Sequence, residues 1–251
     1  MIREHLFQHT VSTDKMFRWR GGEISRLEGL SDGVFAVTLT LLIVSTSVPT
    51  TFYEMWNVIR DLPVFLVCFL SLMMAWRYHY LFFRRYGLED FLTNALNALF
   101  LFLILFYAYP LKFLATFLWR GLSGANVRAM FEVPKGVAWM DVNAQLLGMM
   151  YFFDFAYIAV FGLLAMMHVR AYWLREELQL DELELFLTRA TIRSHLLSVS
   201  VGVLSLFVLV FCREPGAAGL VFFLIGPIHT FEGFYTGSKS DAIGKRLQAE
   251  E

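Results

Sequence analysis

Six apolar runs constrain this chain more than any other feature: Gly33–Val48, Leu62–Trp76, Ala95–Leu111, Leu146–Met167, Leu196–Phe211 and Ala217–Phe234. A helix needs about 20 apolar residues to cross about 30 Å of hydrocarbon, so several runs must borrow a turn from their flanks. They lack the apolar-out, polar-in alternation of a membrane barrel. Nor can they be closed into one water-soluble core. Of 251 residues, 57% are apolar and 17% charged, against about 25% charged in an ordinary soluble domain, and about 250 residues is already near the limit of a single core. Lipid must solvate much of the surface. The expected fold is an all-α integral membrane protein, one domain over 1–251, with six helices spanning about 30–49, 60–80, 92–113, 146–168, 195–212 and 216–235.

Charge position gives the expected orientation. Arg60, Lys112, Arg120, Arg128, Lys135 and Arg213 fall between alternate spans, and the other fifteen of the 21 Lys and Arg fall in the two tails and the remaining loops. The excess of Lys and Arg in cytoplasmic segments then puts both termini in the cytoplasm. Lys and Arg nearly cancel Asp and Glu, so no global charge recruits nucleic acid. Cys68 and Cys212 have no second thiol or His at zinc spacing, which points away from a structural metal site and from any disulfide scaffold. No cofactor is expected. The segment 120–145 is read as an external excursion, and 170–193 as an amphipathic cytoplasmic extension of the fourth span.

The first span opens Arg26-Leu-Glu-Gly-Leu-Ser31-Asp32-Gly33. An acidic residue at the edge of a span needs a partner. Ser31 and Asp32 can cap the helix, their oxygens accepting free amides near the positive end of its dipole. At about 100° per residue, Val37, Leu41, Val44 and Val48 share one stripe with Thr40 on its border, and Asp32 projects about 140° away from Val37, toward the expected interior. Ordinary helix packing also explains such a stripe. Trp76 and His79 end the second span and Asn97 opens the third, all at the expected cytoplasmic side, so Arg26, Asp32, His79 and Asn97 can meet.

Together these residues resemble the transmembrane protein 175 family of endolysosomal-type potassium channels. Its R-x-x-x-F-S-D signature is matched here by Arg26, Ser31 and Asp32, with Leu30 at the usual Phe. The resemblance continues through Trp76, His79, Asn97 and Pro110 and the six-span layout. It implies a homotetramer whose first spans line a potassium pore in the cell membrane. It further implies that Val37 forms the narrowest hydrophobic ring, that Leu41 and Val44 continue it, and that Thr40 supplies the threonine layer linked to potassium preference. Arg26, Ser31, Asp32, Trp76, His79 and Asn97 would be a structural polar network that positions the pore helix.

The residues themselves agree with a dewetting gate: no T-V-G-Y-G segment exists to build a carbonyl filter. A bonding partner for the Thr40 hydroxyl is also available in the Ala36 carbonyl one turn earlier. Three ionisable residues inside spans, Asp154, His229 and Glu232, support an alternative, a proton-coupled secondary transporter. An enzyme is not expected, because no G-x-S-x-G or H-E-x-x-H motif occurs.

Overall fold

The computed structural model describes residues 17–22, 24–44, 48–133 and 141–250. Among them every regular element is helical and no strand occurs. The order is α1 (Arg26–Val44), α2 (Phe52–Arg60), α3 (Leu62–Tyr86), α4 (Phe91–Leu122), a 3-10 turn (Val127–Phe131), α5 (Val142–Trp173), α6 (Glu182–Cys212), α7 (Pro215–Val221), a 3-10 turn (Phe222–Leu224) and α8 (Ile225–Glu250). Five stretches are long and apolar enough to cross a membrane: α3, α4, α5, α6, and the α7–α8 run over Pro215–Leu247. The first helix is shorter and carries Arg26, Glu28 and Asp32 in its first two turns.

Several helix ends differ from the expected spans, each for a local reason. The α1 helix starts at Arg26 because the Ser25 hydroxyl accepts the Glu28 amide at 3.1 Å. Ser31 and Asp32 therefore lie inside the helix, and the expectation that they cap it is corrected. Between the expected first and second spans stands α2, which the apolar runs did not announce; Thr51 caps it by accepting the Glu54 amide. The α3 helix runs on to Tyr86 and stops at Gly87, whose φ of 60° is a left-handed turn suited to glycine.

The largest correction concerns 170–193. The α5 helix ends at Trp173, a tight turn follows, and α6 already begins at Glu182, thirteen residues before the expected 195. The cause is a reciprocal capping box, in which the Asp181 carboxylate accepts the Glu184 amide at 2.8 Å and the Glu184 carboxylate accepts the Asp181 amide at 3.2 Å. At the far end, α8 continues to Glu250 instead of ending near 235. Residues 45–47, part of the 120–145 segment and the Val44 side chain lie outside the described residues.

The helices pack as a bundle in which α1 lies against α3 and α4, α4 against α5, and α5 against α6. Phe35 and Leu42 of α1 meet Cys68 and Leu72 of α3, Phe100 and Ile104 of α4, and Leu164 of α5 in one buried cluster. At Gly202 of α6 the Ile158 and Tyr157 side chains of α5 pack so tightly that a Cβ would fall 2.7 Å from Ile158 Cγ1. Between lipid-solvated helices the apolar drive is weak, so such close fits and interhelical hydrogen bonds carry the association. The outer faces are apolar as well: Leu66, Leu70 and Met74 of α3 and Leu99, Phe102 and Phe106 of α4 are exposed. A surface of that kind belongs in hydrocarbon.

Residues 17–22 form a strap that ties the α3 end to the α5–α6 turn. The Arg20 and Gly21 amides both donate to the Arg84 carbonyl at 3.1 Å, one of the carbonyls the helix end leaves free. The Arg20 guanidinium donates to the Leu178 carbonyl at 2.7 Å and pairs with Glu184.

The first helix and its polar anchor

The α1 helix has two unlike faces. Ser31, Phe35, Thr38 and Leu42 are buried against α3 and α4, and at about 100° per residue they fall within about 60° of one another. Val37 and Thr40 project about 130° and 170° from the centre of that stripe. Val37 is 53% exposed, Thr40 is exposed and Leu41 is half-buried. Gly29, Gly33 and Ala36 add small residues to the same uncovered face. The Thr40 hydroxyl donates to the Ala36 carbonyl at 2.9 Å, and the buried Thr38 hydroxyl to Val34 at 2.8 Å. With its proton committed, the Thr40 oxygen presents only acceptor lone pairs outward.

The buried face is fixed by a chain of polar contacts. Asn97 of α4 donates through Nδ2 to Ser31 Oγ at 3.2 Å, and its Oδ1 lies 2.7 Å from His79 Nε2 of α3. Because an amide oxygen only accepts, His79 must carry its proton on Nε2, leaving Nδ1 buried without a partner. Ser31 in turn donates to the Leu27 carbonyl at 2.8 Å. The His79 ring is stacked on Phe100, with centroids 5.8 Å apart and planes 9° apart, and Phe35 covers another side. All three polar residues are at most 1% exposed, so the chain α1–α4–α3 is sealed from solvent.

Asp32 stands at the rim of this face. It is exposed, and its Oδ1 accepts the Trp76 indole N–H at 2.8 Å, with Trp76 stacked on Tyr80. Arg26 is exposed on the Val37 side of the helix and no ion pair joins it to Asp32 among the described residues. The charge pair that does tie α1 to α3 is Glu28–Arg84 at 3.0 Å, with side chains 10% and 11% exposed. Sequence reasoning missed it, although Glu28 lies inside the signature and Arg84 at the end of α3. Arg84 also donates to the Gly22 carbonyl at 2.9 Å, joining α1 to the strap. At the other end of α1, Lys112 of α4 donates to the Leu42 carbonyl at 2.8 Å. A cation here satisfies a carbonyl of the last helical turn and favours the negative end of the dipole.

The three ionisable residues of the transporter alternative, Asp154, His229 and Glu232, each have local partners. Buried Asp154 receives the Ser205 hydroxyl at 3.0 Å. His229 lies 2.9 Å from Ser198 Oγ and 3.2 Å from Ser194 Oγ. Glu232 accepts Arg193 at 2.7 Å and Thr236 at 3.0 Å. Among the described residues no group of His, Cys, Asp and Glu is arranged to hold a metal ion.

Comparison with known proteins falls on this same region. The family model for the endosomal/lysosomal potassium channel TMEM175 matches residues 26–108, which hold α1, α2, α3 and the first half of α4. A potassium channel of Marivirga tractuosa is 35% identical over 240 residues, covering 94% of this chain and 96% of that one. One of Chamaesiphon minutus is 32% identical over 107 residues, 38% of this chain and 51% of the other. The crystal structure of the potassium channel MtTMEM175, a threonine-to-alanine variant in complex with a nanobody–MBP fusion, superposes with a TM-score of 0.76 at 33% identity, covering 91% of this chain and 100% of that one. The likeness in sequence and fold runs nearly end to end, and the chain belongs to the TMEM175 family of potassium channels, as a multi-pass protein of the cell membrane and not an enzyme.

Proposed function

We propose that this protein conducts potassium passively through a central pore lined by α1 from each of four copies. The observation that carries the reading is the two-faced α1: one face is bolted to α3 and α4 by buried polar contacts, and the opposite face, with Val37 and Thr40, is left uncovered. Four such faces around an axis give a ring of Val37 side chains as the constriction, continued by Leu41 and Val44. Such a ring blocks ions by dewetting and opens when the helices splay. The Thr40 oxygens, facing inward as acceptors, replace part of a hydration shell and favour potassium.

The set Arg26, Ser31, Asp32, Trp76, His79 and Asn97 holds α1 in register without touching ions. Within one chain five of these are bonded as described, and Arg26 is left to meet a neighbouring copy. The chain is one membrane domain over 1–251 with α1 as the sixth crossing and both termini cytoplasmic. That count gives alternate loops consistent with the Lys and Arg distribution.

Single-channel recording of purified protein in bilayers, under a potassium gradient against sodium, tests the reading. Stepwise currents that reverse toward the potassium equilibrium potential are expected. Strict coupling of each potassium to a proton would overturn it and promote the transporter reading through Asp154, His229 or Glu232.

A further inference from the structure

A groove of about 470 Å³ opens on the outer surface between α5 and α6, away from α1. Its sides are apolar, from Val169 of α5 and Ile192, Leu196 and Leu197 of α6. Ser200 closes one end and brings no free donor, because its hydroxyl donates to the Leu196 carbonyl at 2.9 Å. The other end is cationic. Arg189 and Arg193 line it beside Tyr172. Arg193 is already held by Glu232 at 2.7 Å. Arg189 is not neutralised in this way: it is exposed, donates to the Tyr172 hydroxyl at 2.8 Å, lies 5.2 Å over the Tyr172 ring, and forms no ion pair with a carboxylate among the described residues. A second guanidinium, Arg175, sits 5.2 Å from the same ring.

We propose that this groove binds an anionic phospholipid of the cytoplasmic leaflet, with the headgroup phosphate on Arg189 and one acyl chain along Leu196 and Leu197. The leaflet assignment rests on the orientation proposed above; the site itself does not. Length and chemistry both fit this occupant. From Arg189 to Ser200 the helix rises about 16 Å, about half of a hydrocarbon core roughly 30 Å thick, so the apolar wall is one leaflet deep. A phosphate takes a guanidinium through paired, charge-assisted hydrogen bonds, and basic pockets between helices at the cytoplasmic surface suit anionic headgroups. A zwitterionic lipid brings a choline that meets the same arginines with like charge. A soluble anion would leave the apolar wall uncovered.

The test is retention of added lipid by delipidated protein in neutral detergent, read by native mass spectrometry and by thermal unfolding. Phosphatidylglycerol and phosphatidylcholine of identical acyl chains are compared, with inorganic phosphate as a third arm. Wild type is expected to keep phosphatidylglycerol and to melt higher with it, with little response to the other two. Arg189→Gln should weaken phosphatidylglycerol binding about tenfold, the loss of one charge-assisted contact. Leu196→Trp, which fills the groove and leaves the arginines in place, gives the same loss by a second route. Equal retention of both lipids, an equal shift from inorganic phosphate, or unchanged phosphatidylglycerol binding in folded Arg189→Gln and Leu196→Trp proteins would each overturn the site. None of these readouts involves conduction, so failure of the lipid site and failure of the channel reading are told apart.

Discussion

Removing the Asn97 side chain should release α1 from its bundle. In Asn97→Leu the His79 Nε2–H loses its 2.7 Å acceptor while Nδ1 is already without a partner, so a buried imidazole would have neither nitrogen bonded. Ser31 loses the 3.2 Å bond it accepts but keeps the one it donates to Leu27. A buried donor left unsatisfied costs about 1–3 kcal/mol, and an interhelical hydrogen bond in a membrane protein is worth about 0.6 kcal/mol on average. The sum is roughly 2–4 kcal/mol. Reversible unfolding in mixed micelles measures it. The same arithmetic predicts rescue: His79→Phe removes the orphaned nitrogens and keeps the stack on Phe100, so the Asn97→Leu/His79→Phe protein should recover more than half of the loss. A loss below about 0.5 kcal/mol in Asn97→Leu, or strictly additive effects in the double variant, would refute the argument that these two side chains are satisfied by each other.

Three further outcomes follow from the same geometry. Glu28→Ala should cost about 3–5 kcal/mol by leaving Arg84 uncompensated at the α1–α3 contact, and Glu28→Ala/Arg84→Met should cost less than Glu28→Ala alone when measured by the same unfolding. Asp154 is fully buried with a serine and, among the described residues, no cation as its partner, so Asp154→Asn should unfold at or above the wild-type temperature; a folded Asp154→Asn protein that no longer transports potassium would instead point to proton coupling. At the α3–α4 turn, outside the spans, desolvation of Asp90 is outweighed by the Thr93 hydroxyl and by Arg170, and its carboxyl is held below the usual range. The stability it adds is therefore present above the unfolded carboxylate range, near 3.9, and is lost as pH falls through its lowered folded value, so the melting difference between wild type and Asp90→Asn should close on acidification below about pH 4.

Much of the fold is legible in the order of residues because lipid imposes a simple demand, long apolar helices with few charges. That demand finds the centres of α3, α4, α5 and α6 but not their ends. Capping chemistry sets the ends. Asp181-Glu182-Leu183-Glu184 carries a capping box and Arg-Arg-Tyr-Gly87 a glycine stop, and both read as helix boundaries once capping is weighed against hydropathy. The amphipathic α2 escapes a search for apolar runs because Glu54, Asn57 and Arg60 break its exposed Phe52, Tyr53 and Trp56 into short pieces.

At the site, depth puts Arg26, Asp32, His79 and Asn97 at one level; the structure joins His79 and Asn97, adds Ser31 to them, and leaves Asp32 on Trp76 and Arg26 apart. Which acid meets which base is not a matter of depth. Asp32 takes the Trp76 indole, and Arg84 takes Glu28, although the two acids stand four residues and only about 40° apart on α1 and both meet α3. Arg26 makes no ion pair with Asp32 among the described residues, so its place in the signature does not by itself name its partner.

The central claim, a potassium path along the uncovered face of α1, is tested most directly by a cysteine placed at the constriction. In a background with Cys68 and Cys212 replaced by serine, Val37→Cys channels are exposed to a small cationic thiol reagent while potassium current is recorded. The account predicts progressive, irreversible block that slows when the pore is occupied by a permeant ion, with no block in the cysteine-free background. Full current from Val37→Cys channels whose thiol is labelled, or a thiol accessible only from the lipid phase, would contradict it.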